Sequence, residues 1–340
     1  MITALSPPWP GAVGVSGGGD SVALMKLLTD WASNQGAAPP VVLTVDHGLR
    51  PDSHKQAEQV RKLARGMGLP VHVLPWAGAK PSADIEAEAR KARYRLMGGW
   101  CQANRIGALY LAHTLEDQAE TFLLRLARGS GVDGLAAMQT ISALPNPEFT
   151  EIGLVRPLLE FQRAELRQFL KAQGIGWTED AMNSDPQFAR SRLRAAWPQL
   201  ESLGLLPARI ADAARHLARA RAVLDDLTAT FLQRGVRYQP GTVLLDPVRL
   251  KLLPREIGLR ALARVLSDVS GSEYRPRFES LERLFDCILG GRLGKGATLH
   301  GCSIGPAPVR DQIFGSATLT ISREKGRRER EPQASRSRKR

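Results

Sequence analysis

Cysteine is scarce in this chain of 340 residues. Cys101, Cys287 and Cys302 are the only three, and no C-x-x-C pair occurs. An odd number at such wide spacing, with no signal-peptide pattern, speaks against a disulfide framework and makes a reducing, cytoplasmic compartment the expected location. The six histidines are scattered, none in a compact ligand spacing, so neither a structural zinc nor an iron–sulfur centre is indicated. No run approaches the ~18 apolar residues of a membrane span. Aromatics amount to only 6%, and acidic residues are outnumbered 34 to 47 by Lys and Arg, for a formal net charge of +13. That excess points to a polyanionic partner, with a solvated basic surface as the plain alternative.

The length and the 43% hydrophobic content suit a globular chain of two units at ~150 residues per domain. The most specific feature is Ser16-Gly17-Gly18-Gly19-Asp20-Ser21, set directly after the apolar run Ala12-Val13-Gly14-Val15. It reads as a strand turning through glycine into a helix, whose free N–H groups and dipole favour an anion. No third glycine falls at the dinucleotide spacing and no Gly-Lys-Ser/Thr follows, so it is neither the G-x-G-x-x-G fingerprint nor a Walker A loop. It resembles the SGGxDS pyrophosphate loop of the N-type ATP pyrophosphatases.

Beyond the loop, apolar runs alternate with amphipathic stretches. Residues 41–45, 71–74 and 108–112 read as buried strands. Helical patterns follow at 57–67 and 83–101, and again where Ala119, Phe122, Leu123 and Leu126 fall on one face. This order predicts an α/β fold, a doubly wound parallel sheet whose ligands sit beyond the carboxyl ends of the strands. The motifs lie at those ends: Asp46-His47-Gly48-Leu49-Arg50 after the second strand, and His113 with Glu116, Asp117 and Glu120 after the fourth. An Asp-His-Gly is otherwise an ordinary turn, and first-turn carboxylates are otherwise explained by the helix dipole. The long helix between them carries Glu86, Arg90, Arg93 and Tyr94, with Arg90 and Arg93 on one face.

Further motifs follow in order: Ala112-His113 with Asp117-Gln118 and Glu120-Thr121, Leu124-Arg125 with Arg128-Gly129-Ser130-Gly131, and Arg156-Pro157-Leu158-Leu159. Glu179-Asp180, Asn183, Arg190, Arg192 and Arg194 complete the series. Over residues 11 to about 200 the chain resembles the bacterial tRNA(Ile)-lysidine synthetases, by the ordered set rather than by any single motif. It departs from the family pattern at Glu116, where Asp is usual, and at Asp84, where Asn is common.

The resemblance implies an adenine nucleotide alpha hydrolase-like fold and a ligase. In such an enzyme the C2 oxygen of a cytidine attacks the α-phosphate of ATP, pyrophosphate leaves, and the ε-amine of free lysine then displaces AMP. The product is lysidine at the first anticodon position of an isoleucine tRNA with anticodon CAU. ATP, Mg²⁺, lysine and that tRNA are the implied substrates and partners, and a homodimer is left open. Ser16, Gly17, Gly18, Gly19, Asp20, Ser21 and Asp46 would bind ATP, with Asp20 also holding the metal. Arg93 and His113 would stabilise developing charge, Asp117 and Glu120 would take the cationic ends of lysine, and Arg190, Arg192 and Arg194 would meet tRNA.

Residues 1–200 are thus expected to form the catalytic domain. Residues 201–322 are expected to form a mainly helical substrate domain, with a long basic helix over 208–235 and a short terminal hairpin from 298–304 and 317–321. Residues 323–340, charged and without aromatics, read as a disordered basic tail. Two other classes stay open. A tRNA thiolase of the same loop superfamily would call for a cysteine pair, and a noncatalytic RNA-binding protein would not need the complete loop.

Overall fold

Short apolar strands alternate with helices in the first two hundred residues and assemble into one sheet. The structure, a computed structural model, describes residues 7–49, 51–78, 80–81, 84–178, 189–272, 274–294 and 296–324. Arg50, Glu179, Asp180 and Asn183 lie outside the described residues, as does the segment 325–340. Two compact units divide the chain after Ala220 rather than at residue 200.

In the first unit, β1 (Ala12–Gly14), β2 (Val41–Asp46), β3 (Val71–Pro75), β4 (Ala108–Tyr110), β5 (Ile141–Ala143) and β6 (Gly153–Val155) form a sheet of order β3-β2-β1-β4-β6-β5. All pairings are parallel except β5 with β6 at the edge. The helices are α1 (Gly19–Asn34), α2 (Ser53–Gly66), α3 (Ile85–Ala103), α4 (Leu115–Leu126), α5 (Val132–Leu135), α6 (Arg163–Ala172), α7 (Ala189–Ala195) and α8 (Trp197–Ser202).

Alternation along the strands builds a core on each face. Val13 and Tyr110 pack with Leu24 and Leu28 of α1, Val60 of α2, and Leu166 and Leu170 of α6. Their strand neighbours Ala12 and Leu109 pack the other way, with Tyr94, Met97 and Cys101 of α3. The chain runs from β1 outward to β3 and then crosses to β4 on the other side of β1. This reversal puts the switch point of the sheet between the ends of β1 and β4, which the loop from Ser16 and His113 follow.

The expectation for the second unit needs correcting. The long helix forms as α9 (Pro207–Gly235), with the division after Ala220 falling inside it, and α10 (Pro247–Lys251), α11 (Arg255–Ser270) and α12 (Phe278–Leu289) follow. The hairpin, however, is part of a five-stranded antiparallel sheet of order β7-β8-β11-β10-β9. Its strands are β7 (Val236–Gln239), β8 (Thr242–Leu245), β9 (Ala297–Leu299), β10 (Cys302–Pro306) and β11 (Leu319–Arg323). Phe231, Leu245, Leu262, Leu266, Phe285, Ile304 and Ile321 share its core. Arg323 pairs with Cys302, so the last strand takes in the first residue assigned to the tail.

Candidate active site

The loop after β1 is braced by its own serines. Ser21 Oγ donates to the Gly18 carbonyl at 2.8 Å and accepts from Ser16 N at 3.2 Å. Gly17 sits at φ +93°, where a side chain would be strained, and its carbonyl accepts from Thr178 N at 2.9 Å. The Trp177 ring lies 3.4 Å from where a Cβ on Gly19 would stand, so the segment entering from α6 backs the loop. The first turn of α1, with Asp20 in it, opens beyond.

At the end of β2, Asp46 shapes the turn. One carboxylate oxygen accepts from Gly48 N at 3.1 Å and the other lies 3.2 Å from His54 Nδ1. His47 meets Trp76 edge to face, with ring centroids 6.0 Å apart, and its Nε2 is 3.4 Å from Arg93 Nη2. Burial, then the charges of Arg93 and Lys80, push His47 down to about 4, so its ring is neutral. The structure therefore joins Arg93 to His47.

His113 follows β4. Burial pushes it down to about 3, with Arg156, Arg90 and Arg190 adding to the effect and Asp117 opposing it. Its Nδ1 is buried without a hydrogen-bond partner among the described residues. Next to it, Asp117 caps its own helix, one oxygen accepting from Thr114 N at 2.8 Å and from Thr114 Oγ1 at 3.0 Å. Burial works against its charge, but Arg163, His113 and the Thr114 bonds outweigh it and hold the carboxyl below its usual range.

Arg163 links these pieces and was not among the residues singled out in the sequence. Its Nη2 lies 2.6 Å from Asp117, its Nη1 3.2 Å from Glu120 and its Nε 3.4 Å from Asp20. Its backbone N–H donates to the Glu116 carboxylate at 3.1 and 3.2 Å. Glu116 thus holds the start of α6, which accounts for a carboxylate at this position. Desolvation would release the Arg163 proton, but Asp117, Glu120, Asp20 and Glu116 together hold it well above the ordinary arginine range. Asp20 is pushed up to about 6 by burial, against the pull of Arg163 and with Asp117 and Glu116 adding to the rise. A sequence signal did exist: arginine at the first position of a helix stands against the dipole.

Glu120 is already engaged by an arginine of α7. Glu120 is fully buried and accepts from Arg194 Nε at 2.7 Å and Nη2 at 3.2 Å. Asp117 and Glu120 do share one helix face, but guanidinium groups already occupy both. Arg194 reaches onto Glu120, the half-buried Arg190 acts on His113 through its charge, and Arg192, between them, is exposed. Of the three arginines expected to meet tRNA, the structure leaves Arg192 on the surface.

Arginines also secure the surrounding loops. Arg125 Nη1 donates to the Gly134 and Ala137 carbonyls, at 2.8 and 3.0 Å, while Arg156 Nη1 donates to the Gln139 carbonyl at 2.8 Å and Ser142 Oγ at 3.0 Å. Gln118 closes both backbone groups of Met138 at 2.8 Å each. Gln118 and Arg125 of α4, with Arg156 after β6, therefore hold the segment from 134 to 142.

With this geometry in view, the comparisons with known proteins are specific. The PP-loop domain family matches residues 10–200. The tRNA(Ile)-lysidine synthase of Ruegeria pomeroyi is 41% identical over 298 residues, 88% of this chain and 69% of that protein. That of Methylobacterium nodulans is 40% identical over 329 residues, 94% and 93% of the two chains. That of Wolbachia pipientis is 38% identical over 295 residues, 86% and 67% of the two. A nucleotide loop facing a carboxylate helix, matched along most of the chain by relatives of one name, means that this chain belongs to the tRNA(Ile)-lysidine synthase family.

Proposed function

We propose that this chain ligates lysine to C2 of the wobble cytidine of an isoleucine tRNA with anticodon CAU, in two steps on one crevice. The observation that supports this best is a single guanidinium, Arg163, spanning Asp20 of the phosphate loop and Asp117 and Glu120 of α4. Nucleotide and amino-acid subsites are then contiguous, as an adenylate handed directly to an amine requires. The loop from Ser16 to Ser21 takes the phosphates on backbone N–H groups, and Asp46 shapes the turn that seats the rest of ATP. The cytidine oxygen bonds to the α-phosphorus and pyrophosphate leaves. The lysine amine, neutral when it attacks, then bonds to C2, and AMP carries away the C–O bonding pair.

His113 enters this scheme as a neutral ring, because burial keeps it unprotonated. It offers one hydrogen bond at the reacting centre, while Arg90, Arg156 and Arg190 supply positive charge around it. Arg93 is set beside His47 and faces the nucleotide from the β2 side. Asp117 and Glu120 form the lysine subsite, and the exposed Arg192 with its neighbours Arg190 and Arg194 borders the tRNA. Mg²⁺ fits beside Asp20: the metal commonly takes one or two protein carboxylates and completes its shell with phosphate and water. Bound there it would neutralise phosphate charge.

The thiolase reading calls for a cysteine pair, and only Cys287 of α12 is even half-exposed. Cys101 is fully buried in the sheet core and pushed up to about 12, and Cys302 lies in the core of the second unit with its thiol raised by burial. A noncatalytic RNA-binding role leaves the phosphate loop unexplained.

The deciding experiment incubates the protein with CAU-anticodon isoleucine tRNA, ATP and labelled lysine, then locates the label by nuclease digestion and mass analysis. Label on the wobble cytidine with AMP released is the expected result; no label, or sulfur on the base in a supplemented reaction, overturns it. The same reading carries a cytoplasmic location and leaves a homodimer to be tested by sedimentation.

A further inference from the structure

Asp117 and Glu120 leave no carboxylate oxygen idle. Asp117 uses one oxygen on Thr114 and the other on Arg163; Glu120 uses one on both Arg163 and Arg194 and the other on Arg194. A substrate ammonium that takes this face as its own must compete there with the guanidinium groups already on it. The two candidates for leaving are not equivalent.

Arg194 grips Glu120 with two nitrogens. Arg163 instead spends one nitrogen on each of three carboxylates and stands at a helix N-terminus where a positive charge is unfavourable. Its backbone stays pinned by Glu116 whatever the side chain does. The contact with Asp20, at 3.4 Å, is also the one that points toward the phosphate loop.

We propose that Arg163 is an internal cation that fills the place of the substrate ammonium in the amino-acid subsite, and that lysine enters by displacing it. The proposal rests on the reading of Asp117 and Glu120 as that subsite. It makes Arg163 a specificity determinant. An entering amino acid must replace the contacts Arg163 gives up, and a single ammonium replaces one where the two cationic ends of lysine replace two.

The test compares full-length wild type, Arg163→Met and Arg163→Lys with CAU-anticodon isoleucine tRNA, ATP and labelled lysine. Lysine KM is read from label incorporation, and pyrophosphate release is followed without lysine. Removing the internal competitor should lower the lysine KM of Arg163→Met about fivefold, the worth of one partly exposed ion pair. Norleucine and millimolar guanidinium should each become competitive against lysine in Arg163→Met while hardly affecting wild type. Arg163→Lys, which keeps one cation with fewer arms, should show a smaller fall in KM.

A lysine KM that rises or stays put in Arg163→Met, with kcat reduced, overturns the proposal and makes Arg163 a holder of substrate or of structure. If Arg163→Met does not fold, Arg163→Lys decides, and an unlowered KM there overturns the proposal too. Wild-type protein that releases pyrophosphate and labels tRNA while the variants leave KM unmoved sinks only this inference. Wild-type protein that labels no tRNA sinks the functional reading beneath it.

Discussion

Arg194 holds the fully buried Glu120 through two guanidinium nitrogens, at 2.7 and 3.2 Å, across 74 residues of sequence. Removing one partner of such a pair leaves an uncompensated buried charge. Arg194→Ala should therefore destabilise the first unit by about 3 kcal/mol, the lower end for breaking a buried pair, because Arg163 still reaches Glu120. The double replacement Arg194→Met with Glu120→Leu should cost less than Arg194→Ala alone. Urea unfolding of the three proteins tests the order, and a double variant weaker than the single one would contradict it.

Asp20 has a folded-state value of about 6 against 3.8 when unperturbed. The native state therefore holds its proton more tightly than the unfolded chain does. That contribution is complete below pH 3.8 and lost as pH rises through 6. At pH 7.5 the ionised, partly buried carboxylate is a cost, so Asp20→Asn should raise the melting temperature there and change it little at pH 4. Adenylation, read as pyrophosphate release, should be abolished in the same variant. A lowered melting temperature at pH 7.5, or normal pyrophosphate release, would remove Asp20 from this role.

His113 works in the opposite direction. Its folded value of about 3 lies below the ordinary 6.5, so the unfolded chain takes up a proton that the native state refuses. Stability is complete above pH 6.5 and is lost as pH falls from there toward 3, with His47, at about 4, adding to the loss. His113→Asn should flatten the decline in urea midpoint between pH 7.5 and 5. An unaltered slope would mean that the ring accepts its proton in place.

Asp117 separates the half-reactions. Asp117→Asn keeps an oxygen for Thr114 and loses the charge that Arg163 or an ammonium needs. Pyrophosphate release with tRNA and ATP should persist, while incorporation of labelled lysine should fall by at least about a hundredfold, the scale of a lost charge-assisted contact of ~3 kcal/mol. Equal loss of both signals would move Asp117 to the nucleotide subsite.

Residues 325–340 carry eight Lys and Arg against two Glu. Deleting them should weaken tRNA binding modestly and reduce its salt slope, by no more than about 0.7 per phosphate contact on single strands, without changing which tRNA is labelled. Affinity measured against salt for isoleucine and methionine tRNAs tests this. A changed preference between the two would give the tail a part in recognition, and an unchanged slope would leave it no contact at all.

Much of the first unit was legible in the chain because its signals are local. The apolar runs of Ala12–Gly14 and Val41–Asp46, the glycines after Val15 and the carboxylates opening α4 act over a few residues, where local pattern and turn chemistry decide the outcome. The strands Val236–Gln239 and Thr242–Leu245 were less legible, since the first follows directly on a 29-residue helix that ends at Gly235, and short runs gain their β character from the partners they meet. The sequence by itself determined the loop, the doubly wound order and which carboxylates stand at the strand ends. Only the tertiary structure decided what those carboxylates touch. Arg163 reaches Glu120 from 43 residues away and Arg194 does so from 74. Such charge pairs are chosen by burial, because a carboxylate withdrawn from water takes whichever guanidinium the packing of helices brings within reach.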